Sequence, residues 1–340
     1  MKKRKIMTSM LGLAIALGGL LPIAATAQHA PQLAKLKPAD FPTQPIEYVV
    51  VYPAGGGLDL TARLLGKYVE KVSGDKVLVN NRTGGAGMVG HTYLATQAKP
   101  DGYTVGVLVN LVWGDAMLRS QGRWAYTDLE PVAYINSDPL TWVASTEGPY
   151  KGMSAKQIIQ VAKDKPGTVR IATVPGSMWE YLIEQVEAST GAKFLRVPFQ
   201  AGGPGVVALL GGSVDVAQGF YGEFRGYVDA GKIVPIALAS NERTTFLKNT
   251  PTFNEIYNST EYVWNIIRFA VVPKGTPPDR KAYIAATMQA ALKDPELLAE
   301  YQKLGVYFDP ALSKSTQVGA DLNALAMKER DFYVKTGRLK

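Results

Sequence analysis

The clearest pattern of apolar and polar positions spans residues 46–71. An apolar, β-branched run of strand length (46–51) leads into a turn of small residues, and apolar residues then recur at helical spacing. The glycines at 55–57 let the backbone approach a ligand closely, and Asp59 is the expected N-cap of the helix. The segment thus predicts a strand, a glycine loop and a helix whose first N–H groups face an anion, either a carboxylate or a phosphate. A tight strand-to-helix turn without a ligand is the alternative.

A second glycine-rich segment follows a predicted strand at 76–80. It contains G-x-G-x-x-G at Gly85, Gly87 and Gly90 ahead of a helix. One interpretation of this segment is a dinucleotide-binding fingerprint. The next predicted strand, 103–109, ends in Asn110 where that fingerprint requires an acidic residue. The first glycine segment, at 55–57, is not a nucleotide P-loop, because no Lys-Ser or Lys-Thr pair follows its glycines. Asn110 and Trp113 lie just beyond a strand end, so they are candidates for a cleft wall, with core packing as the alternative for Trp113.

The pattern changes at residues 131–145, where two strand-like runs flank Ser137, Asp138 and Pro139. We expect the chain to cross here into a second α/β series. Two of its strands end in Gly- or Pro-rich loops that open helices, at 174–177 and at 198–204, which repeats the device of the first half. A long strand at 263–272 then predicts a return to the first lobe. Helical patterns at 279–292, 295–304 and 315–333 complete the chain.

The N-terminus has the pattern of a signal peptide. A basic stretch (Lys2, Lys3, Arg4 and Lys5) precedes an apolar segment and the small-x-small site at 25–27. The apolar segment is short for a membrane span of about 20 residues. We therefore expect cleavage after residue 27 and export to the periplasm, with an uncleaved anchor as the alternative. The remaining 313 residues are enough for two medium domains or one large one.

Charge and composition narrow the function. The formal charge is +8, four of these charges belong to the signal segment, and no basic run indicates nucleic-acid binding. There are no cysteines and only two histidines, His29 and His91, so we expect neither a metal site nor a cofactor. A Ser-His-Asp triad would have to use His91, which is more easily explained as a core or helix-surface residue.

The mature chain resembles the substrate-binding proteins of tripartite tricarboxylate transporters, the Bug family of periplasmic receptors. The resemblance rests on short motifs in order along nearly the whole mature chain: YPAGGGLD with Ala62-Arg63, NNR with GGAG, PDGYT, VPF, GGSVD, Pro251-Thr252 and PKGTP. It departs from the family pattern at Tyr52 and Ala201, and the segment 176–182 lacks the family's His. These departures lie near the expected cleft and leave two interpretations open. Trp113, Trp179, Phe199, Phe220 and Tyr221 form a pocket for an unusual ligand, an aromatic or apolar-tailed acid, or most of them are ordinary core residues.

The resemblance implies an α/β fold of the type II-like, two-lobe periplasmic binding protein kind, with mixed sheets and crossing hinge strands. We predict lobe 1 at 41–138 plus 264–340 and lobe 2 at 139–263. It also implies that the loops capture an organic carboxylate by backbone N–H groups, so that Arg63 and Arg82 serve structural salt bridges. The predicted ligand-binding residues are Tyr52, Pro53, Ala54, Gly55, Gly56, Gly57, Leu58, Asp59, Asn110, Trp113, Thr173, Pro175, Gly176, Ser177, Phe199, Gln200, Ala201, Gly202, Gly203 and Phe220.

The predicted function is therefore that of a monomeric receptor, not an enzyme, that delivers a di-, tri- or aromatic carboxylate to a membrane permease. Two alternatives remain. One is an exported hydrolase or oxidoreductase that uses the same cleft, and the other is a ligand receptor for a sensor protein. The lack of a Cys, of a metal cluster and of an evident pair of carboxylates argues against the enzyme.

Overall fold

A computed structural model describes residues 32–307 and 317–340. The predicted signal peptide, His29 and the start of the helix predicted at 315–333 lie outside the described residues. The strands are β1 (Ile46–Val50), β2 (Val77–Asn81), β3 (Thr104–Val109), β4 (Leu129–Pro139), β5 (Thr141–Ser145), β6 (Arg170–Thr173), β7 (Leu195–Pro198), β8 (Val216–Gly219), β9 (Ile233–Leu238) and β10 (Asn265–Pro273).

The helices alternate with these strands over most of the chain. They are α1 (Gly57–Ser73), α2 (Met88–Thr96), α3 (Leu111–Gly114), α4 (Ala155–Asp164), α5 (Met178–Thr190), α6 (Gly202–Leu210), α7 (Tyr221–Asp229), α8 (Phe253–Tyr257), α9 (Pro278–Ala291), α10 (Pro295–Lys303) and α11 (Val318–Lys335). A wider turn, Asp115–Arg119, continues α3.

The strands of the described chain form two mixed sheets of five strands each. The first has the order β2-β1-β3-β10-β4, in which β1 pairs parallel with β2 and β3 while β10 runs antiparallel to β3 and β4. The second has the order β7-β6-β8-β5-β9, with β6 parallel to its neighbours and β5 antiparallel to β8 and β9. The predicted α/β class with mixed sheets is confirmed.

Burial along the strands follows from their places in the sheets. Every residue of the central strand β3 is buried, which agrees with its continuous apolar sequence TVGVLV. The edge strand β2 instead alternates half-buried and exposed positions, as a strand with one solvated face does. Apolar helix faces cover both sheets; on α1, for example, Ala62, Leu65 and Val69 are buried.

Two crossing segments join the sheets side by side. Residue 140, between β4 and β5, donates its N–H to the carbonyl of Trp264, which precedes β10 (2.8 Å). The N–H of Trp264 in turn donates to the carbonyl of Ala239, just after β9 (2.9 Å). This backbone pairing fixes the connection between the sheets. It brings the carboxyl ends of β1 and β3 towards those of β6, β7 and β8, where ligands bind in α/β sheets.

Three local predictions are wrong. Ser137, Asp138 and Pro139 do not separate the two strand-like runs but belong to β4 itself, because β10 pairs with β4 along its full length. The residues 202–204 are not a loop before the helix but its first turn, since α6 begins at Gly202. Asp59 is not the N-cap of α1: Gly56 holds that position and Asp59 is the third helical residue.

Candidate functional site

A cavity of about 960 Å³ lies between the carboxyl ends of the two sheets. Its wall on the first sheet is formed by the loop after β1, by the segment from β3 through α3, and by parts of β4 and β10. The wall on the second sheet is formed by the loops that open α5, α6 and α7. The turn after α10 and one face of α11 complete the enclosure. A cavity of this size and position suits a small-molecule ligand.

The loop before α1 is shaped by its glycines and by Asp59. Gly55 has a φ of +81°, a left-handed conformation that favours glycine. Its N–H donates to the buried carboxylate of Asp59 (2.8 Å), which also accepts hydrogen bonds from Arg63 Nε (3.0 Å) and Asn81 Nδ2 (2.9 Å). Burial alone would raise the pKa of Asp59, but these hydrogen bonds outweigh it and hold the pKa below its ordinary value. Asp59 thus holds the loop in place through Gly55, and the positive charge of Arg63 balances the negative charge of its carboxylate.

The helices that open into the cavity from the second sheet differ in their first turns. In α5, Glu180 accepts the N–H of Gly176 (2.7 Å), and in α7, Glu223 accepts the N–H of Phe220 (2.9 Å). The first turn of α6 carries no acidic residue, and within the described residues no side chain caps its N-terminus at Ala201. The first N–H groups of α6 have no partner within the helix, and the carboxylate beside this helix start comes from α7: a Cβ atom built on Gly202 would lie 2.8 Å from Glu223 Oε2.

A buried salt bridge forms the floor of the cavity. Arg268 Nη1 on β10 lies 2.5 Å from Asp138 Oδ2 on β4, and Asn136 Oδ1 accepts a further hydrogen bond from Arg268 (3.2 Å). The Nη2 atom of Arg268 lies beside the first residue of α1: a Cβ atom built on Gly57 would be 3.5 Å from it. Arg268 Nε has no hydrogen-bond partner among the described residues. The guanidinium therefore faces the same space as the N-terminus of α1.

Two further carboxylates line the cavity. Burial raises the pKa of Glu223, against the opposing effects of the hydrogen bond from Phe220 and the charge of Arg268. Glu329 on α11 accepts a hydrogen bond from the Tyr333 hydroxyl, and burial raises the pKa of Glu329 to about 7 although that hydrogen bond lowers it. Neither carboxylate has an Arg, Lys or His nitrogen within salt-bridge distance in the part of the chain that the structure describes.

The structure places most of the predicted site residues on the cavity. Those that line it are Tyr52, Pro53, Gly56, Gly57, Leu58, Asn110, Pro175, Gly176, Ser177, Gln200, Ala201, Gly202 and Phe220. Asn110 also lines the cavity, but its side-chain amide already has partners. Its oxygen accepts the N–H of Ile267 (3.0 Å), and its nitrogen donates to the carbonyl of Asn265 (3.1 Å). Tyr52 presents a buried hydroxyl without a partner among the described residues, and burial and the nearby Asp115 raise its pKa.

The other predicted site residues do not line the cavity: Ala54, Gly55, Asp59, Trp113, Thr173, Phe199 and Gly203. Trp113 is buried and stacks on Phe269 (5.8 Å between ring centroids), so its core alternative is the one that the structure supports. Phe199 packs against the core of the second sheet, and Thr173 is buried at the end of β6. Of the proposed aromatic wall, Trp179 and Phe220 do line the cavity, in edge contact at 5.3 Å, whereas Tyr221 stacks on Phe246 at 4.9 Å.

The second glycine segment has structural explanations. A Cβ atom on Gly90 would lie 2.5 Å from a methyl group of Val51, so this glycine allows α2 to pack closely on the first sheet. The carbonyl of Gly85 accepts a hydrogen bond from Arg119 (2.7 Å). His91 is fully buried and contacts Asp115 (2.8 Å), and its other ring nitrogen has no partner among the described residues, so a nucleophile does not complete a triad there.

Arg63 and Arg82 form the structural contacts that we expected. Arg63 pairs with Asp59 (3.0 Å), and Arg82 lies 3.7 Å from Glu47 and 3.7 Å from the ring centre of Tyr93. Within residues 32–307 and 317–340, no group of three or more His, Asp or Glu side chains could hold a metal ion. Among those same residues, the helices are too short or too polar to cross a bilayer.

Sequence reasoning missed the cavity residues that come from distant parts of the chain, above all Asp138, Glu223, Trp264, Arg268, Glu329 and Tyr333. One signal for Arg268 was available, because it is the single charged residue in the apolar run VWNIIRFAVV. Such a residue on a buried strand requires a partner or a ligand. Glu329 carried no comparable signal, since it sits among the many charged residues of an amphipathic helix.

Two mixed α/β sheets joined by crossing segments around a ligand-sized cleft define a solute-binding protein of the two-lobe periplasmic class. A family model described as "Tripartite tricarboxylate transporter family receptor" matches residues 61–326. The chain therefore belongs to this family of transporter receptors, and the predicted identity as a binding protein and not an enzyme is confirmed.

Individual relatives agree with this assignment. The chain is 30% identical over 242 residues to Protein BugT of Bordetella pertussis, covering 70% of this chain and 73% of that one. It is similar to a TctC solute-binding protein from Polaromonas solved without ligand (26% identity, TM-score 0.69, 86% and 97% of the two chains). It shares its fold with MatC from Rhodopseudomonas palustris with bound malate (22% identity, TM-score 0.70, 85% and 98%).

Proposed function

We propose that this receptor binds a small organic carboxylate in the cavity between its two sheets and delivers it to the membrane permease of a tripartite tricarboxylate transporter. The observation that carries the proposal is that the N-termini of α1 and α6 open into one cavity, and that neither is capped by a side chain among the described residues. Backbone N–H groups at two helix starts suit a carboxylate.

The carboxylate would lie between the first turn of α1 and the first turn of α6. Gly57 and Leu58 would donate from one side and Gly202 from the other, all three of which line the cavity. The free edge of the Arg268 guanidinium beside Gly57 would add a charged hydrogen-bond donor. The family resemblance implied backbone donors only. The malate bound by MatC, a protein of the same fold, supports a carboxylate ligand.

The body of the ligand would be apolar or aromatic. Trp179, Phe220, Trp264 and Tyr333 line the cavity together with Leu118 and Met178, so most of the wall beyond the helix starts is apolar. A small hydrophilic di- or tricarboxylate would leave this wall without a partner. An aromatic carboxylate, or one with an apolar chain, fits it better.

Closure would bring two lobes together around the ligand, with lobe 1 at 41–138 plus 264–340 and lobe 2 at 139–263. The segments 139–141 and 239–264 would act as hinges. The basic and apolar N-terminal pattern supports export to the periplasm by a cleaved signal peptide at 1–27. There the protein would act as a monomer that delivers its ligand to the permease.

A thermal-shift screen of residues 28–340 tests the proposal. The panel contains mono-, di-, tri- and aromatic carboxylates, with sugars and nucleotides as negative controls. A ligand at a hundred times its dissociation constant adds about 2.7 kcal/mol of stability, and each kcal/mol raises the melting temperature of a protein of this size by about 2–4 °C or slightly less. We expect a shift of several degrees with one class of carboxylate. A shift with a sugar or a nucleotide and with none of the acids would contradict the proposal.

A further inference from the structure

The part of the cavity wall that α11 contributes presents a carboxylate and aromatic rings. Glu329 and Tyr333, one turn apart on α11, line the cavity here together with Tyr181 of α5 and Trp264. The ring centroid of Tyr181 lies 5.8 Å from that of Trp264 and 5.8 Å from that of Tyr333. We call these four residues the Glu329 cluster.

The polar atoms of the rings in the Glu329 cluster already have partners. Trp264 Nε1 donates to Gln185 Oε1 (2.9 Å), Tyr181 Oη donates to the carbonyl of Gly176 (2.9 Å), and Tyr333 Oη donates to Glu329. The rings therefore offer the cavity their carbon surfaces rather than hydrogen-bond donors. Aromatic faces beside a carboxylate are the surroundings in which proteins hold ammonium groups.

The carboxylate of the Glu329 cluster, in contrast, has no cation of its own. Within the described residues no Arg, Lys or His nitrogen lies within salt-bridge distance of Glu329. Arg338, which packs 4.6 Å from the ring centre of Tyr181, is paired with Glu184 (2.5 Å) instead. Burial without a counter-charge is why the pKa of Glu329 is raised to about 7. A bound cation would supply the missing counter-charge.

Glycine at position 114 is what brings this carboxylate to the cavity wall. A Cβ atom there would lie 2.8 Å from Tyr333 Oη and 3.6 Å from Glu329 Oε1, so only glycine lets α11 approach α3 this closely. The pair of Glu329 and Tyr333 is thus built into the wall rather than left on the surface of a helix. Tyr333 is buried and Glu329 half-buried.

We infer that the Glu329 cluster is a subsite for a cationic nitrogen, and that the ligand is an amino acid whose carboxylate and ammonium groups are separated by an apolar body. The carboxylate would lie at the starts of α1 and α6 and the ammonium group against Glu329 and the faces of Trp264 and Tyr181. This inference rests on the proposed carboxylate site and adds the second half of the ligand. It makes Glu329 a specificity-determining residue.

Titration calorimetry with matched pairs of compounds tests the inference. Each pair is an ω-aminoalkanoate and the alkanoate in which a methyl group replaces the ammonium group, taken through a series of chain lengths. Pairs with a benzene ring in the chain are included. We expect one length at which the amino compound binds the wild-type protein at least about tenfold more tightly than its partner. In Glu329→Gln that preference should disappear, while affinity for the alkanoate stays the same or improves.

The matched control is Asp331→Asn, which removes a carboxylate from an exposed position on the same helix. It should keep the full preference for the amino compound. If alkanoates bind but no amino compound is preferred, or if the preference survives in Glu329→Gln, the inference is wrong and the proposed carboxylate site stands. If no acid of any series binds, the proposed function fails and the inference fails with it.

Discussion

Arg268 and Asp138 form a salt bridge with an N–O distance of 2.5 Å on adjacent strands at the floor of the cleft. Both side chains are buried, and Asp138 also accepts the N–H of Tyr307 (2.7 Å), where the chain returns from α10. The pair therefore ties β4, β10 and the segment after α10 together at the base of the ligand cavity. Removal of one partner from a buried ion pair lowers the stability of a protein strongly, because the other charge is left buried and unpaired. We expect the same of Arg268 and Asp138.

The substitution Arg268→Met should lower the free energy of unfolding by about 3–5 kcal/mol, because it leaves Asp138 buried and unpaired. The double variant Arg268→Met with Asp138→Asn should recover part of this loss. Denaturant unfolding measures both. The control is Arg243→Met, which breaks an exposed pair with Glu255 and should cost less than about 1 kcal/mol. Equal losses at the two sites would show that the pair at the floor is not a buried structural pair.

The half-buried carboxylate of Glu329 should make stability depend on pH. Its pKa is about 7 in the folded protein against an ordinary value of 4.5, so the folded state keeps a proton that the unfolded chain releases. Stability is therefore lost as pH rises from about 4.5 to about 7, by up to about 3 kcal/mol. Glu329→Gln lacks this loss.

The measurement is denaturant unfolding of Glu329→Gln and of wild type at several pH values. The stability of the variant relative to wild type should rise across that window and level off above pH 7 or so. Asp331→Asn, on the exposed face of the same helix, should show no such rise. Parallel profiles for wild type and Glu329→Gln would mean that Glu329 titrates as an ordinary surface carboxylate.

Two neighbouring glycines at the start of α6 should respond differently to alanine. A Cβ atom on Gly202 would lie 2.8 Å from Glu223 Oε2 and 3.2 Å from the carbonyl of Gln218, so the first turn would have to shift. A Cβ atom on Gly203 would meet nothing within 4 Å. We expect Gly202→Ala to weaken carboxylate binding by about tenfold or more, as removal of one charge-assisted hydrogen bond does.

Gly203→Ala is the matched control for that variant. It should leave affinity unchanged and raise the free energy of unfolding by up to about 1 kcal/mol, because alanine is the better helix former. Calorimetric titration and thermal unfolding of both variants provide the comparison. Equal affinities for Gly202→Ala and wild type would remove the N-terminus of α6 from the binding site.

A close backbone contact joins α7 to the turn after α10. Like the start of α6, this contact should not tolerate alanine in place of its glycine. A Cβ atom on Gly222 would lie 2.7 Å from the carbonyl of Leu304, and Arg225 donates to the carbonyls of Gln302 (3.1 Å) and Lys303 (3.0 Å). Gly222→Ala should force the two elements apart and weaken ligand binding by about tenfold, because both elements line the cavity. Gly226→Ala, where a Cβ atom meets nothing within 4 Å, should bind as wild type does. Small-angle scattering of the ligand-bound variants should show Gly222→Ala as the more open one; indistinguishable curves and affinities would contradict this.

The sequence predicts the fold and the loops of the site well because both depend on local signals. Strands that end in glycine-rich turns before helices place Gly56, Gly176 and Gly202 on the cavity without knowledge of the rest of the chain. The same local view misplaces residues whose role depends on packing. Trp113 stands at a strand end as a ligand contact would, yet Phe269 from a distant strand covers it.

Residues that reach the cavity from distant elements could not be predicted in this way. Arg268 and Asp138 are 130 positions apart and meet only because β10 returns beside β4. Glu329 reaches the wall only because α11 packs on α3 at Gly114. The sequence predicts the start of α6 a few residues too late for a similar reason. The glycines at 202 and 203 favour a loop by propensity, but they form the first turn of the helix, because its N-terminus approaches Gln218 and Glu223 closely.

The most direct test of the central claim is a comparison of one carboxylate with its primary amide. The best acid from the thermal-shift screen and the corresponding amide, which has nearly the same shape and no charge, are titrated into the protein of residues 28–340 by calorimetry. If helix starts and the Arg268 guanidinium hold an anion, the acid should bind about a hundredfold more tightly than the amide. Equal affinity for the two compounds would contradict a carboxylate site at α1 and α6.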